Sequence, residues 1–304
     1  MNFFMMSSHV VQDAAATSPG AVRCILSAKQ RPALPSLTPM QLATIKRLPL
    51  IRTWLHRRAI GKYLSPRGRG FHCGHFQTFA QARAWLPPSA EFSHEKFTEE
   101  YVNERCHRIW SFDYPVLFWL RGAFETGSTS LLDIGGSIGN QYYAYQRYLA
   151  YPPALQWRVQ ELSAFIEQGR DIAQQRGATA LSFSDDWPDP WLSCDIWMAA
   201  GVLEFMEDVD LFSLLSRAPR KPRHILINKL PLTEAPAFVS SQNIGFGSYV
   251  PHHVFNRQAF VSGIEQHGYE LVDQWEVPDR KFLSLGFDED EFDTYSGLYF
   301  RLKP

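Results

Sequence analysis

The chain has 304 residues, a net charge of −1 and 45% hydrophobic residues, a composition typical of a globular protein with one large core or two smaller ones. It contains no run of about 18 apolar residues, so a membrane-spanning helix is not expected, and its first ten residues lack the basic segment of a signal peptide. The four cysteines form no CxxC pair, which argues against a zinc knuckle or a disulfide framework and favours a cytoplasmic protein without a metal site.

The N-terminal part of the chain is basic. Residues 1–40 are rich in Ala, Ser and Pro without sustained periodicity, and we predict a disordered extension there. Eight cations and no acid lie between Lys46 and Arg69. A peripheral contact of residues 46–69 with anionic lipid at the inner membrane surface is one hypothesis, and a solvated face packed on the domain is the alternative. No nucleic-acid recognition motif accompanies this charge, so nucleic acid is not an expected partner.

Residues 41–125 are predicted to form a helical region that leads into the first strand and is a candidate lid. After a basic helical pattern over residues 41–64, its helical stretches are FQTFAQARAWL, HEKFTEEYVNERCHRIW and YPVLFWLRGAF. The triplet His72, Cys73 and His75 lies between glycines and is interpreted as a loop, because the other ligands of a metal site are missing.

An apolar strand, a glycine cluster and a helix follow one another without a break in LLDIGGSIGNQYYAYQRYL, residues 131–149. The strand ends at Asp133, and Gly135, Gly136 and Gly139 allow the backbone to approach a ligand closely. The dinucleotide pattern G-x-G-x-x-G fails here, whereas D-x-G-x-S-x-G fits. The stretch therefore predicts a nucleotide-cofactor loop, with a tight turn of some other α/β protein as the alternative.

This pattern resembles motif I of the class I S-adenosylmethionine (SAM) methyltransferases, D/E-x-G-x-G-x-G, with Ser137 in place of the middle glycine. The resemblance implies that Asp133, the three glycines and Ser137 belong to a cofactor-binding turn.

Strands and helices alternate after the glycine loop, which is typical of a parallel, doubly wound sheet. The predicted strands are LQWRVQEL, ALSFSDDW, CDIWMAAGVL, HILINKLPL, YELVDQWEV and GLYFRLK. We predict a short connection between the last two, which fits an antiparallel hairpin at the edge of the sheet. Residues 126–304 are therefore expected to form a Rossmann-like domain with a mostly parallel seven-stranded sheet and an antiparallel C-terminal strand.

Polar or small residues end several strands, at the edge where such a sheet binds its ligand. Glu161 ends the second strand, where a carboxylate can accept from both ribose hydroxyls; a surface acid is the alternative. Asp185 and Asp186 end the third strand near an adenine amino group, or else form a turn. Ala200 and Gly201 end the fourth strand with small side chains that leave room for the reacting atoms.

A wider resemblance covers roughly residues 70–304. The segments GHFQTFAQARAW, YPVLFWL, LLDIGGSIGN, WRVQEL, AAGVLEFMED and LINKLPL to YVPHHVF are similar to a family of SAM-dependent methyltransferases encoded in bacterial surface-polysaccharide (O-antigen type) gene clusters. That family usually reads I-D-R-T-P after the fifth strand, where this chain has Ile227, Asn228, Lys229, Leu230 and Pro231. The resemblance implies SAM as the cofactor and O-methylation of a sugar or saccharide intermediate of polysaccharide biosynthesis.

The segment SSQNIGFGSYVPHHVFN is interpreted as an acceptor-binding loop. His252 and His253 are the candidate bases for an acceptor hydroxyl, because imidazole titrates near neutral pH; a structural pair is the alternative. Gln242, Asn243 and Tyr249 are candidates to position a small-molecule or glycan acceptor.

Two rival functions remain open. One is a non-catalytic protein of the same fold that binds a partner through its basic N-terminal region. The other is a nicotinamide-dependent oxidoreductase, against which the failed G-x-G-x-x-G pattern and the terminal hairpin count.

Overall fold

The computed structural model describes residues 49–93 and 104–304, which fall within one compact unit. The predicted extension over residues 1–40, the start of the basic segment and most of the stretch HEKFTEEYVNERCHRIW lie outside these residues. Predictions for those parts of the chain therefore stay predictions.

Eight helices and eleven strands are described in residues 49–93 and 104–304. The helices are α1 (Pro49–Tyr63), α2 (Phe79–Trp85), α3 (Tyr114–Glu125), α4 (Asn140–Tyr145), α5 (Ser163–Gln175), α6 (Asp189–Leu192), α7 (Leu211–Arg217) and α8 (Arg257–Gln266). The strands are β1 (His72–Phe76), β2 (Ser130–Ile134), β3 (Gln156–Gln160), β4 (Leu181–Ser184), β5 (Ile196–Ala200), β6 (His224–Leu230), β7 (Leu232–Thr233), β8 (Phe238–Gly245), β9 (Ser248–Asn256), β10 (Tyr269–Val277) and β11 (Tyr295–Leu302). Short 3₁₀ turns include Ser111–Asp113 and Leu203–Phe205.

The main sheet has seven strands in the order β4-β3-β2-β5-β6-β11-β10. Strands β2 to β6 pair in parallel, whereas β11 is antiparallel to both β6 and β10. Counted along the chain, its strands lie in the order 3-2-1-4-5-7-6, so the order reverses beside β2. This is the Rossmann-like fold of class I methyltransferases, and it confirms the predicted fold class.

Both faces of the main sheet are buried, because side chains alternate between them along each strand. Leu131 packs on one face against α3, α4 and α5 in a cluster that includes Leu120 and Trp157. Leu132 packs on the other face against α7 and α8 in a cluster that includes Trp197. Each of these fully buried apolar side chains contributes about 1.5–3 kcal/mol to folding. The ends of the strands are therefore held on a rigid scaffold.

A second sheet has the strand order β1-β8-β9-β7 and replaces two predicted loops. β8 and β9 form an antiparallel hairpin where an acceptor-binding loop was expected. Their turn places Phe246 (φ 54°) and Gly247 (φ 75°) in the left-handed region, as a tight type I′-like turn requires. The interpretation of residues 72–75 as a loop was also wrong, because β1 pairs with β8.

β10 and β11 pair antiparallel as predicted, but the connection between them is not short. Residues 278–294 cross to the second sheet, where Phe282 is fully buried. The backbone N–H of His72 donates to Leu283 O (2.8 Å), and the backbone N–H of Leu285 donates to His72 O (2.9 Å). The connection thus ties the second sheet to the edge of the main sheet.

Part of the basic segment packs against aromatic rings. Lys62 Nζ lies 4.0 Å from the centre of the Phe71 ring, and the Arg58 guanidinium lies 5.4 Å from that of Trp54. Trp54 itself is 57% exposed. In the described part of the chain, no helix has both the length and the apolar character needed to cross a membrane. Peripheral membrane contact through residues 46–69 stays a prediction.

Candidate functional site

The carboxyl ends of five parallel strands meet in one row. Ile134 of β2 lies opposite Gln160 of β3 and Ala199 of β5, and Ala200 lies opposite Asn228 of β6. Asp185, Glu161, Gly135 and Gly201, which follow β4, β3, β2 and β5, therefore lie side by side in that order, with Lys229 of β6 next to Gly201. This edge is the ligand-binding edge of a doubly wound sheet. Four of these five residues were predicted from the sequence, and Lys229 was not.

The glycine turn depends on the absence of side chains. A Cβ on Gly135 would lie 2.3 Å from Cγ2 of Val202, and one on Gly136 would lie 2.5 Å from Cγ of Asp133. Ser137 has φ 53°, the left-handed conformation that the middle glycine of the motif would adopt without strain. Its hydroxyl is buried and has no hydrogen-bond partner among the described residues.

Asp133 supports this turn from beneath. Its side chain is 0% exposed, Oδ2 accepts a hydrogen bond from Trp157 Nε1 (3.0 Å), and Oδ1 has no partner in the described part of the chain. Burial raises the pKa of this carboxyl to about 7, against the opposing effects of the Trp157 hydrogen bond and the charge of Lys229. Asp133 is thus a fully buried carboxyl group that lies against the glycine turn.

The three other predicted carboxylates differ in their surroundings. Glu161 is partly buried; its carboxylate accepts a hydrogen bond from the Leu162 backbone N–H but none from a side chain in the described part of the chain. Burial raises the pKa of the Glu161 carboxyl to about 8, the Leu162 hydrogen bond acts in the opposite direction, and the charge of Asp133 raises it further. Asp185 is exposed and accepts a hydrogen bond from Ser163 Oγ (2.7 Å), which lowers the Asp185 pKa. Asp186 is also exposed, so this pair forms the solvent rim.

Lys229 bends over the end of β5. Gly201 has φ 74°, and a Cβ placed on it would lie 3.1 Å from Lys229 Cε and 3.4 Å from Nζ. Lys229 itself has φ 61°, so its backbone is in the left-handed region that a lysine rarely adopts. The small residues Ala200 and Gly201 are therefore covered by an amine.

Asn228 holds Lys229 in place. Its Oδ1 accepts from the backbone N–H of Lys229 (3.1 Å) and from Trp275 Nε1 (3.2 Å), and its Nδ2 donates to Phe112 O (3.1 Å). An aspartate at this position has no N–H to donate to the Phe112 carbonyl. The amide therefore has a structural role at the end of β6.

Charged groups crowd around Lys229. Burial lowers the pKa of its ammonium to about 7, Arg280 and Arg105 lower it further, and Asp113 and Glu204 act in the opposite direction. Glu204 is buried, its Oε2 has no hydrogen-bond partner in the described residues, and burial raises its pKa to about 7. Lys229, which is partly buried, and Glu204, which is buried, are thus two titratable groups with pKa values near neutrality, as at many catalytic sites.

The second sheet places the predicted acceptor residues on its two opposite faces. Successive side chains of a strand alternate between the faces, and cross-strand partners share one face. His252 lies opposite Ser240, and Gln242 lies opposite Val250, so His252 and Gln242 share the face whose Val250 packs into the main core. The predicted residues on the opposite face are His253, Asn243 and Tyr249.

Two of the residues on that opposite face contact the backbone of the N-terminal region. Asn243 Nδ2 donates to Tyr63 O (2.6 Å), and its Oδ1 accepts from Gly245 N–H (2.9 Å). The Tyr249 hydroxyl donates to Leu64 O (2.8 Å). Their polar atoms hold residues 63–65 against the hairpin.

The two candidate bases are poorly placed to reach an acceptor. His252 is 1% exposed, and its Nε2 lies 3.2 Å from the Tyr295 hydroxyl, which His72 Nε2 also approaches at 3.3 Å. Burial lowers the pKa of His72 to about 3 and that of His252 well below its usual range. His253 packs against Phe255 with ring centres 4.2 Å apart.

The role of Lys229 and the His72–Tyr295 contact were not predicted from the sequence, whereas Glu204 was noted after the fourth strand, with an acid at a helix start as the alternative. The rule that strand ends carry functional groups, applied to the fifth parallel strand, would have pointed to Lys229. Nothing in the sequence indicates that residues 72 and 295 meet. In the described part of the chain, no group of three or more His, Cys, Asp or Glu side chains could hold a metal ion.

No protein-family model matches the chain, and no curated protein matches its sequence. Solved structures with a similar arrangement include a Burkholderia thailandensis 1,6-didemethyltoxoflavin-N1-methyltransferase, with a TM-score of 0.45, 15% identity, and coverage of 72% of this chain and 93% of that one. The glycopeptide N-methyltransferase MtfA has a TM-score of 0.44 and 10% identity, with 65% and 97% coverage. The mitomycin 7-O-methyltransferase MmcR has a TM-score of 0.41 and 16% identity, with coverage of 86% of this chain and 70% of that one. The strand order of the main sheet, and not these likenesses, identifies the fold.

Proposed function

We propose that the chain is a SAM-dependent methyltransferase that methylates an oxygen of a small-molecule or glycan acceptor, namely a sugar or saccharide intermediate of surface-polysaccharide biosynthesis. The observation that carries the proposal is the row at the carboxyl edge of the sheet. There a glycine turn lies between a half-buried carboxylate, Glu161, and the small end of β5, Gly201. The strand order places this row at a topological switch point.

The residues of the row fit the cofactor. The buried Ser137 hydroxyl lacks a partner in the described residues and lies in the glycine turn, where it would hold the methionine part. Glu161 would accept from the two ribose hydroxyls, which would supply the donors that the described side chains do not. Asp185 or Asp186, at the rim, would accept from the adenine amino group. Ala200 and Gly201 would leave space for the reacting methyl group.

The cofactor supplies a methyl group on a positively charged sulfur. The chain then has to align an acceptor oxygen with that methyl group, exclude water and remove a proton. Gln242 lies on the face of the second sheet that packs towards the main core, where it would orient the acceptor. The second sheet would cover the acceptor side of the site and limit the access of water.

The acceptor class is supported by the resemblance over residues 70–304 and by the character of the site. Lys229, Glu204 and Gln242 offer hydrogen-bonding groups suited to an acceptor with several hydroxyls. A nicotinamide-dependent oxidoreductase is disfavoured by the failed G-x-G-x-x-G pattern and by β11, which runs antiparallel between β6 and β10. Titratable groups with shifted pKa values at the ligand-binding edge, such as Lys229 and Glu204, favour an enzyme over a non-catalytic binding protein.

Calorimetric titration of the full chain with SAM, S-adenosylhomocysteine (SAH) and NADH tests the proposal. We expect saturable binding of SAM and SAH, and no binding of NADH. The Gly135→Arg variant should lose both interactions, because a Cβ alone already meets Val202; a thermal melt checks that it is folded. Absence of SAM and SAH binding by the native protein would refute the proposal, and binding of NADH alone would favour the oxidoreductase. A screen with methyl-labelled SAM and nucleotide sugars would then identify the acceptor.

A further inference from the structure

The proposed function places Lys229 beside the acceptor but gives it no part in the chemical step. Its left-handed backbone (φ 61°) and its N–H bond to Asn228 Oδ1 (3.1 Å) turn the side chain back over β5. Nζ lies 3.4 Å from the position that a Cβ of Gly201 would take. Apart from the Phe112 ring, whose centre is 5.8 Å away, no described residue makes a hydrogen bond, ion pair or ring contact with this ammonium.

We propose that Lys229 is the general base of the reaction, and that its Nζ accepts the proton of the acceptor hydroxyl at the end of β5. The inference rests on the proposed methyl transfer and names the residue that the transfer to an oxygen requires. Its basis is the placement over Gly201 of an amine that forms no hydrogen bond with any described residue, at the small end of β5 where the proposed function puts the reacting methyl group.

The reaction moves one proton and one methyl group. The acceptor O–H bond breaks, and its proton goes to the lone pair of Lys229 Nζ. The acceptor oxygen forms a bond to the methyl carbon, and the carbon–sulfur bond breaks with its electron pair left on sulfur. The products are the methylated acceptor, SAH and the Lys229 ammonium, which returns its proton to solvent.

The charges around Lys229 favour a neutral amine. Arg280, from the connection after β10, and Arg105, before α3, repel the ammonium and add to the effect of burial. Asp113, Glu204 and Asp133 face it from the turn before α3, the turn after β5 and the end of β2, and they attract it. The balance leaves the pKa of Lys229 near 7, the range in which a base is most effective at neutral pH.

The two candidate histidines serve this purpose less well. His252 is buried between His72 and aromatic rings, and its pKa is well below its usual range, so it is a weak base. His253 lies on the face of the second sheet that points away from the main core.

The test needs no acceptor. SAM carries a positive sulfur and SAH does not, so SAM bound beside Lys229 should drive a proton from its ammonium. Proton release is obtained from binding enthalpies measured at pH 7 in phosphate and in Tris, which have different ionisation enthalpies. On SAM binding we expect the native protein to release about 0.3–0.5 more protons than the Lys229→Met variant. The amine of the ligand itself titrates in both proteins and cancels from this difference.

The controls separate this inference from the proposed function. Lys229→Met and Lys229→Arg should both bind SAH, which shows that they are folded, and both should lack the additional proton release. Lys303→Met, which changes an exposed lysine, should release as many protons as the native protein. Equal release by the native protein and both Lys229 variants would overturn the assignment while SAM binding stands. Failure of the native protein to bind SAM or SAH would remove both proposals.

A second measurement reads the amine directly. Labelling of the full chain with acetic anhydride between pH 5.5 and 9, followed by peptide mass spectrometry, reports the fraction of neutral amine at Lys229. Half-maximal reactivity near pH 7 is expected, and a profile that still rises at pH 9, as an ordinary lysine with a pKa of about 10.4 gives, would overturn the proposal.

Discussion

The candidate site has a cofactor side and an acceptor side, and the two are built in different ways. On the cofactor side, Asp185, Glu161 and the glycine turn each follow a strand by one residue, so local sequence places them. On the acceptor side, residues far apart in the sequence meet around Lys229, Glu204 and the His72–Tyr295 contact. The first half is a property of strand ends, whereas the second exists only after the second sheet has folded against the first.

The halves also differ in how their polar groups are satisfied. On the cofactor side, Glu161 and Ser137 have no side-chain partner in the described residues and are available to a ligand. On the acceptor side, the amides of Asn228 and Asn243 are engaged by the protein, whereas Glu204 Oε2 and the Lys229 amine have no hydrogen-bond partner in the described residues. Substitutions on the cofactor side should therefore change binding, and substitutions on the acceptor side should change stability and pH response.

The largest expected effect is the loss of stability in Asn228→Asp. A carboxylate there would face the Phe112 carbonyl and Asp113 in a buried site, which should cost about 3 kcal/mol of unfolding free energy. Urea unfolding followed by circular dichroism measures it as a lower midpoint with an unchanged m-value.

The matched control is Asn256→Asp. Asn256 caps α8 at a partly exposed position, where an aspartate also caps well; the variant loses the donations of Nδ2 to Ala235 O (2.9 Å) and Glu234 O (3.3 Å), but water can solvate the new carboxylate, so a smaller loss of about 1 kcal/mol is expected. Equal losses in the two variants would contradict the structural role given to Asn228.

Next in size is the effect of Glu161→Ala on cofactor binding. Removal of a carboxylate that accepts from two ribose hydroxyls should weaken SAH binding about 100-fold, or about 2.7 kcal/mol. The free protein should be no less stable, because no described side chain donates to Glu161. Calorimetric titration measures the affinity, and Glu167→Ala, an exposed change on α5, should leave it unaltered. Native affinity in Glu161→Ala would remove Glu161 from the ribose site.

This contrast explains how much of the molecule the sequence could predict. Strand and helix alternation, with a glycine turn after Asp133, was enough to predict the main sheet and its cofactor edge. The connection at residues 278–294 was misjudged, because no local pattern shows that Phe282 and Ser284 pack on a second sheet.

The acceptor side shows the limit most clearly. His252 and His253 are adjacent in sequence, and imidazole chemistry alone could not distinguish them. A strand places neighbours on opposite faces, so one histidine is buried beside Tyr295 and the other packs on Phe255. Reading residues 238–256 as a hairpin would have separated them, but the G-F-G turn gives only a weak signal for the paired strands.

A smaller effect is expected in the pH dependence of stability through His72. Its folded pKa is lowered to about 3, so the unfolded chain takes up a proton first as the pH falls below about 6.5, and stability is lost in that range. Between pH 7 and 5.5 the native protein should lose about 1.2 kcal/mol more than His72→Phe. Asp133, Glu161 and Glu204 have raised pKa values and act in the opposite sense, but they are common to both proteins. Urea unfolding at the two pH values checks this, and parallel pH profiles would contradict it.

The smallest effect returns to the cofactor side, at the serine that replaces the middle glycine of the motif. Ser137→Ala removes a buried hydroxyl without a partner in the described residues, so the free protein should gain about 1 kcal/mol of stability. If the hydroxyl holds the methionine part of the cofactor, the same change should weaken SAH binding about 3-fold to 10-fold. Thermal melts and calorimetric titration measure the two quantities.

Ser137→Gly separates the hydroxyl from the backbone. Glycine adopts φ 53° without strain, but it also loses more conformational freedom on folding, so the two effects on stability nearly cancel. Both variants lack the hydroxyl and should bind SAH equally weakly. A loss of affinity in the alanine variant alone would show that backbone strain, and not the hydroxyl, governs this turn; native affinity in both would leave Ser137 outside the cofactor site.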